Sequence, residues 1–146
     1  MLQLGIVTYN IAKDWDLPTI LQKLEALGYG GVELRTTHRH GVEVGLSAEA
    51  RREVRRRFED SPVELVGLGS AFEYHSADPA VVKKMIADTK EYVRLAHDVG
   101  ALGVKVRPNG IPKGEDPETA FKRIGAALHE VGEDAEGQGV EIRVEV

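Results

Sequence analysis

Residues 140–146 read Val140-Glu141-Ile142-Arg143-Val144-Glu145-Val146, with an apolar residue at every even number and a charged one at every odd number. A period of two is a strand whose two faces differ. The pattern recurs in Gly31–Arg35, where Val32 and Leu34 alternate with Glu33 and Arg35, and in Leu102–Arg107, where Val104 and Val106 alternate with Lys105 and Arg107. An open parallel sheet with helices on both faces needs strands that are apolar almost throughout. Strands with one apolar and one charged face fit a barrel instead, because helices cover the outside while the inside is a polar site. By length alone, a five-strand doubly wound sheet is the rival.

Other strands are expected at Leu2–Tyr9 and Val63–Ser70, and the last at Val140–Val146. Between them lie segments of helical spacing, Leu17–Leu27, Ser47–Glu59, Asp78–Val99 and Pro117–Glu136, so the order is βαβαβαβαβ. Asp78-Pro79 and Asp116-Pro117 each place a capping carboxylate before a proline of the first turn, and Gly28, Gly100 and Gly137 mark helix ends. Successive strand markers Leu4, Val32, Leu65, Val104 and Val140 are 28 to 39 residues apart, 34 on average. Eight such units would need ~270 residues, the size of a (β/α)₈ barrel. The expected fold is therefore α/β, half of a TIM-type barrel, with residues 1–146 as one domain.

The chain has 146 residues, 24 acidic against 19 basic, a net charge of −5 and no cysteine. Disulfides are excluded, and no apolar run approaches the ~20 residues of a membrane span. Met1-Leu2-Gln3 reads as the start of a strand rather than a leader, and a cytoplasmic location is expected. The acidic balance argues against a nucleic-acid partner. Arg51, Arg52, Arg55, Arg56 and Arg57 are interleaved with Glu49, Glu53 and Glu59 without aromatic residues, which describes a solvated helix face.

Connections entering strands are short and glycine-rich, as in Gly28-Tyr29-Gly30-Gly31, whereas those leaving strands carry the polar chemistry. Parallel α/β folds place their sites at the C-terminal ends of strands. Glu33, Lys105 and Arg107 are candidates to orient a phosphate or polyol, or else compensate one another across strands. His75 is a candidate substrate contact or a residue that fixes its loop. His38-Arg39-His40 is expected to be a solvated loop.

Gly28–Arg35, the strand end Leu68–Ser70 leading to Glu73-Tyr74-His75, and the terminal Glu141–Val146 resemble the sugar phosphate isomerase/epimerase family with the xylose isomerase-like barrel. The resemblance runs through the fifth strand and implies the N-terminal half of the barrel. It also implies a divalent metal (Mn, Mg or Zn) at the mouth, held by acidic and histidine side chains of strands five to eight. The first of these ends strand five, so the resemblance makes Glu145 the catalytic and metal-ligating carboxylate, beside Glu33, His75, Lys105 and Arg107, the candidate substrate contacts read from the residues themselves. The implied activity is isomerisation or epimerisation of a sugar or sugar phosphate by proton transfer next to a carbonyl.

The plain alternative for Glu145 is an inward ion pair with Arg143 or Arg107. Further ligands would follow Val146, so the chain alone is expected to lack turnover and to hold metal weakly. The alternative function is a non-catalytic half-barrel fragment or assembly module. Open edges at the first and fifth strands lead to an expected homo-oligomer. A related apurinic endonuclease places histidines after strands three and four; strand four here ends Val106-Arg107-Pro108-Asn109, so that activity is not expected.

Overall fold

Four side chains decide where the helices begin. Asp16, Ser47, Asp78 and Asp116 each accept a hydrogen bond from a backbone N–H of the first turn, at Thr19, Ala50, Ala80 and Thr119. Pro18, Pro79 and Pro117 occupy first-turn positions where the missing N–H costs nothing. The computed structural model describes residues 3–145, so the expected strand start at Leu2 and end at Val146 lie outside the described residues. The elements are β1 (Gly5–Val7), α1 (Leu17–Ala26), β2 (Gly31–Arg35), α2 (Ala48–Glu59), β3 (Glu64–Gly69), α3 (Pro79–Val99), β4 (Gly103–Val106), α4 (Pro117–Glu136) and β5 (Glu141–Val144). The observed strands are shorter than the expected ones mainly because the alternating pattern continues past the ladder hydrogen bonds. Gly100 ends α3 in the left-handed conformation, φ 80°. Gly137 does not, with φ −60°, and the left-handed turn before β5 falls to Gly139.

The strands form one parallel sheet in the order β1-β2-β3-β4-β5. Crossovers of one hand between sequential neighbours place all their helices on one side. The core agrees: Val32, Leu34, Leu65, Leu68, Val104 and Val106 form a single cluster with side chains of all four helices, including Ile20, Phe58, Val93 and Ile124. The doubly wound alternative, which needs helices on both faces, is thereby rejected. The described residues form half of a (β/α)₈ barrel with its inner wall bare.

Strand β3 departs from simple alternation. Val32 pairs with Leu65 but Glu33 pairs with Gly67, so Val66 is an extra residue in the ladder. Leu65 and Leu68 are three apart, and only this bulge turns both toward the helices, where each is buried. Its second effect is to put Gly67 and Gly69 on the inner wall.

Leu34 is 1% exposed under the helix layer, whereas Leu4 is 62% exposed. Leu34→Ala is expected to lower stability by about 2–5 kcal/mol in urea unfolding. Leu4→Ala should stay within about 0.5 kcal/mol.

Candidate functional site

The charged face of the strands converges on one ammonium group. Lys105 Nζ of β4 lies 2.7 Å from Glu33 Oε1 of β2 and 2.6 Å from Glu145 Oε2, just beyond β5. Glu33 has to cross β3 to reach it. It can do so because Gly69 has no side chain: a Cβ there would lie 2.7 Å from Glu33 Oε1. The Glu145 backbone N–H donates to the Val106 carbonyl at 2.9 Å, which carries the β4–β5 pairing up to this carboxylate. Burial pulls the Lys105 pKa down, but the two carboxylates outweigh it and hold the ammonium above its usual range. The hydrogen bond from Lys105 holds the Glu145 carboxyl below the usual carboxylate range, with Arg107 and Arg35 adding to the effect.

Arg143 is spent deeper in the wall. It lies across Gly67 and Gly103, where a Cβ on Gly103 would come within 2.9 Å of its Nε. It donates to the Val66 carbonyl at 2.8 Å and to Glu141 Oε2 at 2.8 Å. Glu145 therefore pairs inward with Lys105, not with Arg143 or Arg107, the partners that the alternative reading gave it.

The exit of β3 forms a second group. The Thr89 hydroxyl donates to the Met85 carbonyl, so the buried Tyr74 hydroxyl donates to Thr89 Oγ1 at 2.8 Å and pins the loop to α3. This anchor sits between Glu73 and His75. Glu73 then has His75 Nδ1 at 3.7 Å on one side and Arg107 at 3.6 Å on the other. The His75 ring lies against Gly110, and Arg123 donates to the His75 carbonyl at 2.7 Å while pairing with Glu115.

The β2 exit corrects an expectation. His40 is buried rather than solvated: Val42 N–H donates to its Nδ1 at 3.0 Å, so its proton sits on Nε2 and is donated to the Arg35 carbonyl at 2.8 Å. Burial pushes the His40 pKa down, against the pull of that carbonyl. Thr8 Oγ1 accepts from the Arg35 N–H at 2.9 Å and shares a hydrogen bond with His38 Nδ1 at 3.0 Å. Thr37 is held at φ 64°, an unusual position for a β-branched residue, where its N–H donates to Glu43 Oε1 at 2.6 Å. The Tyr92 hydroxyl donates to the same carboxylate, and burial raises the tyrosine pKa.

Of the residues singled out from the sequence, Glu33, Lys105 and Glu145 form one network, while Arg107 and His75 flank Glu73 beside it. A cavity of about 280 Å³ at the mouth is lined by Val7, Tyr9, Arg35, Lys105, Arg107 and Glu145. Arg35 and Tyr9 were not among those residues, although the Glu33–Arg35 alternation and the position of Tyr9 after β1 both point here. A wider groove of about 500 Å³ is lined by α3 and α4 alone, away from the mouth. Among the described residues no three His, Asp or Glu side chains converge as a metal would require. The carboxylate that resemblance assigns to a divalent ion is already paired with an ammonium. The described residues by themselves therefore do not assemble a metal site.

The family model described as xylose isomerase-like TIM barrel matches residues 21–146. Among curated proteins the chain has no significant match. Solved structures with the same fold include the IolI protein with a bound zinc atom, at 19% identity and TM-score 0.82 over 98% of this chain and 51% of that one. L-ribulose 3-epimerase is 19% identical, with TM-score 0.76 over 100% of this chain and 50% of that one. D-psicose 3-epimerase with D-tagatose from Clostridium cellulolyticum H10 is 17% identical, with TM-score 0.79 over 99% of this chain and 52% of that one. The chain spans about half the length of these structures.

Lys105→Met is expected to raise the Glu145 carboxyl pKa toward the ordinary range, read from side-chain carboxyl NMR shifts. The sign follows from the lowered pKa: the pair stabilises the fold above the ordinary carboxylate range, and that contribution is lost as pH falls through the folded-state value. An unchanged Glu145 titration in the variant would contradict the pairing. His40 adds its own acid dependence, full above the ordinary histidine range and lost as pH falls through its depressed value. In His40→Gln that part of the pH–stability curve should flatten.

Proposed function

Because the chain belongs to the xylose isomerase-like TIM-barrel family, we propose that it forms one half of the active-site mouth of a sugar or sugar-phosphate isomerase or epimerase. The observation that carries this reading is the Glu33–Lys105–Glu145 network, which stands at the C-terminal end of the sheet where barrel sites lie. The epimerase names among the structural neighbours support the reaction class. The reaction is proton transfer next to a carbonyl, in which a carboxylate takes the proton and cations steady the oxygen that gains charge. Glu145 is the proposed catalytic carboxylate. Lys105 fixes its orientation, Glu33 balances the ammonium from the other side, and Arg107 and His75 contact substrate around Glu73.

A divalent ion (Mn²⁺, Mg²⁺ or Zn²⁺) belongs to this reading only in a barrel whose other half supplies further ligands, with Glu145 as the ligand from this half. The edges of β1 and β5 have no neighbour among the described residues, which supports a homo-oligomer through those edges when the chain stands alone. The same open edges favour the second reading, a non-catalytic assembly module. A nucleic-acid role is not part of the proposal, since on α2 Arg51 pairs with Asp98, Arg55 with Glu59, Arg56 with Glu53 and Asp60, and Arg57 with Glu53. No helix among the described residues is long and apolar enough to cross a membrane. A cytoplasmic location completes the proposal.

Residues 1–146 alone are expected to show no ketose turnover and only weak Mn²⁺ binding by calorimetry. In a whole barrel carrying this half, Glu145→Gln should cut turnover about 10²–10⁴-fold. Tight stoichiometric Mn²⁺ binding by the monomeric half, or wild-type turnover by the Glu145→Gln barrel, would overturn the assignment. Retained turnover without any metal dependence would place the chemistry elsewhere.

A further inference from the structure

A second cavity, of about 460 Å³, opens between α3 and the loops that leave β2 and β3, and it shares no lining residue with the mouth. Its volume lies within the ~300–1,000 Å³ of pockets that take whole small molecules. The walls are apolar and polarizable. Phe72 and Tyr92 meet edge to face with ring centroids 5.2 Å apart, and the Met85 thioether lines the same space. The Tyr92 hydroxyl is spent on Glu43, so what this residue offers the cavity is its ring. Aromatic rings and thioether sulfur favour an apolar body and accept a positive charge beside it.

The charge around this space has one sign. Asp88 and Glu91, three residues apart on α3, are joined by no Lys, Arg or His in the lining. Each carboxylate is bonded through one oxygen to a cation of its own helix, Asp88 to Lys84 and Glu91 to Arg94, which leaves Asp88 Oδ1 and Glu91 Oε2 free to accept. Such exposed pairs within a helix are worth little in water, so they yield to a better-placed cation.

The lining selects the ligand by exclusion. Two carboxylates repel an anion. A polyol would lose its hydration against Phe72, Met85 and Tyr92 without recovering it. A metal ion would find no third acidic or histidine ligand among the described residues. An ammonium head on an apolar body meets both halves of the lining at once.

We propose that this cavity is a binding site for a small organic ammonium compound, with its aromatic or branched alkyl body against Phe72, Met85 and Tyr92 and its head at Asp88 and Glu91. The site goes beyond the isomerase or epimerase reading and stands or falls without it, because the two cavities have no residue in common.

The test is an NMR titration of the chain with phenethylammonium, following the methyl resonances of Val44, Ala71 and Met85 around the cavity, beside the neutral 2-phenylethanol and the anionic 3-phenylpropionate. Saturable shifts at these methyls are expected with the ammonium, with the alcohol about fivefold weaker and the carboxylate weaker still. Raising sodium chloride from about 10 mM to about 1 M shortens the screening length from ~30 to ~3 Å, and should weaken the ammonium but not the alcohol. The double variant Asp88→Asn, Glu91→Gln should bring the ammonium down to the affinity of the alcohol; both positions lie on the outer part of α3, and the wild-type comparison of the three probes decides even if the variant fails to fold. Equal affinity for ammonium and alcohol, salt-independent ammonium binding, unchanged affinity in the folded double variant, or no saturable shift would each overturn the site. So would shifts confined to Val82 and Ile86 in the groove between α3 and α4.

Discussion

One ammonium between two carboxylates organises the inner wall. Lys105 draws Glu33 from one side and Glu145 from the other, and through them ties β2, β4 and β5 together across the sheet. Lys105 and Glu33 are partly withdrawn from water, and pairing offsets the desolvation that an isolated charge there would suffer. The pairing requires a clear path, which the glycines supply. Gly69 makes room for Glu33, while Gly67 and Gly103 make room for Arg143. A Cβ on Gly69 would meet Glu33 Oε1 at 2.7 Å and one on Gly103 would meet Arg143 Nε at 2.9 Å, so the absence of these β-carbons is as much a part of the site as the charges.

The sequence pattern of β2, β4 and β5 was enough to separate a helix-covered face from a charged one, since period two is a property of the backbone and survives any tertiary context. Capping side chains fixed the helix starts for the same reason, acting within three residues. Strand β3 was harder to read. Its inward and helix-facing residues change places at Val66, and the spacing of Leu65 to Leu68 is the trace of that bulge in the sequence. The Glu145 partner was not legible, because which cation it meets depends on the reach of side chains from a strand 40 residues earlier rather than on spacing. His40 misled for a related reason: neighbouring polar residues look solvated, yet the strand-end carbonyl of Arg35 and the N–H of Val42 turn it into an interior brace.

That brace links the folding side of the sheet to the mouth. Arg35 supplies its side chain to the cavity, its carbonyl to His40 and its N–H to Thr8, so one residue is held by the backbone from both directions. Tyr74 does the same for the β3 exit by fastening Glu73 and His75 to α3. Side chains that must meet a ligand are best held on rigid elements whose own rotamers are locked. Here the locks are neutral hydrogen bonds on the helix side, and the charges they position face the open side.

Such a division makes register decisive. A slip of one residue in β4 would turn Lys105 and Arg107 into the helix layer and bring Val104 and Val106 to the mouth, exchanging a paired charge for a buried unpaired one. The cost of that exchange falls on the fold as well as on the site. The charged wall therefore contributes little direct stability, since ion pairs near water are worth little, and acts by making every alternative register expensive. The bulge in β3 follows from the same constraint. Leu65 and Leu68 could not both face the helices in a regular strand, and without the extra residue one of them would stand among the charges, where Gly67 and Gly69 now leave space for Arg143 and Glu33.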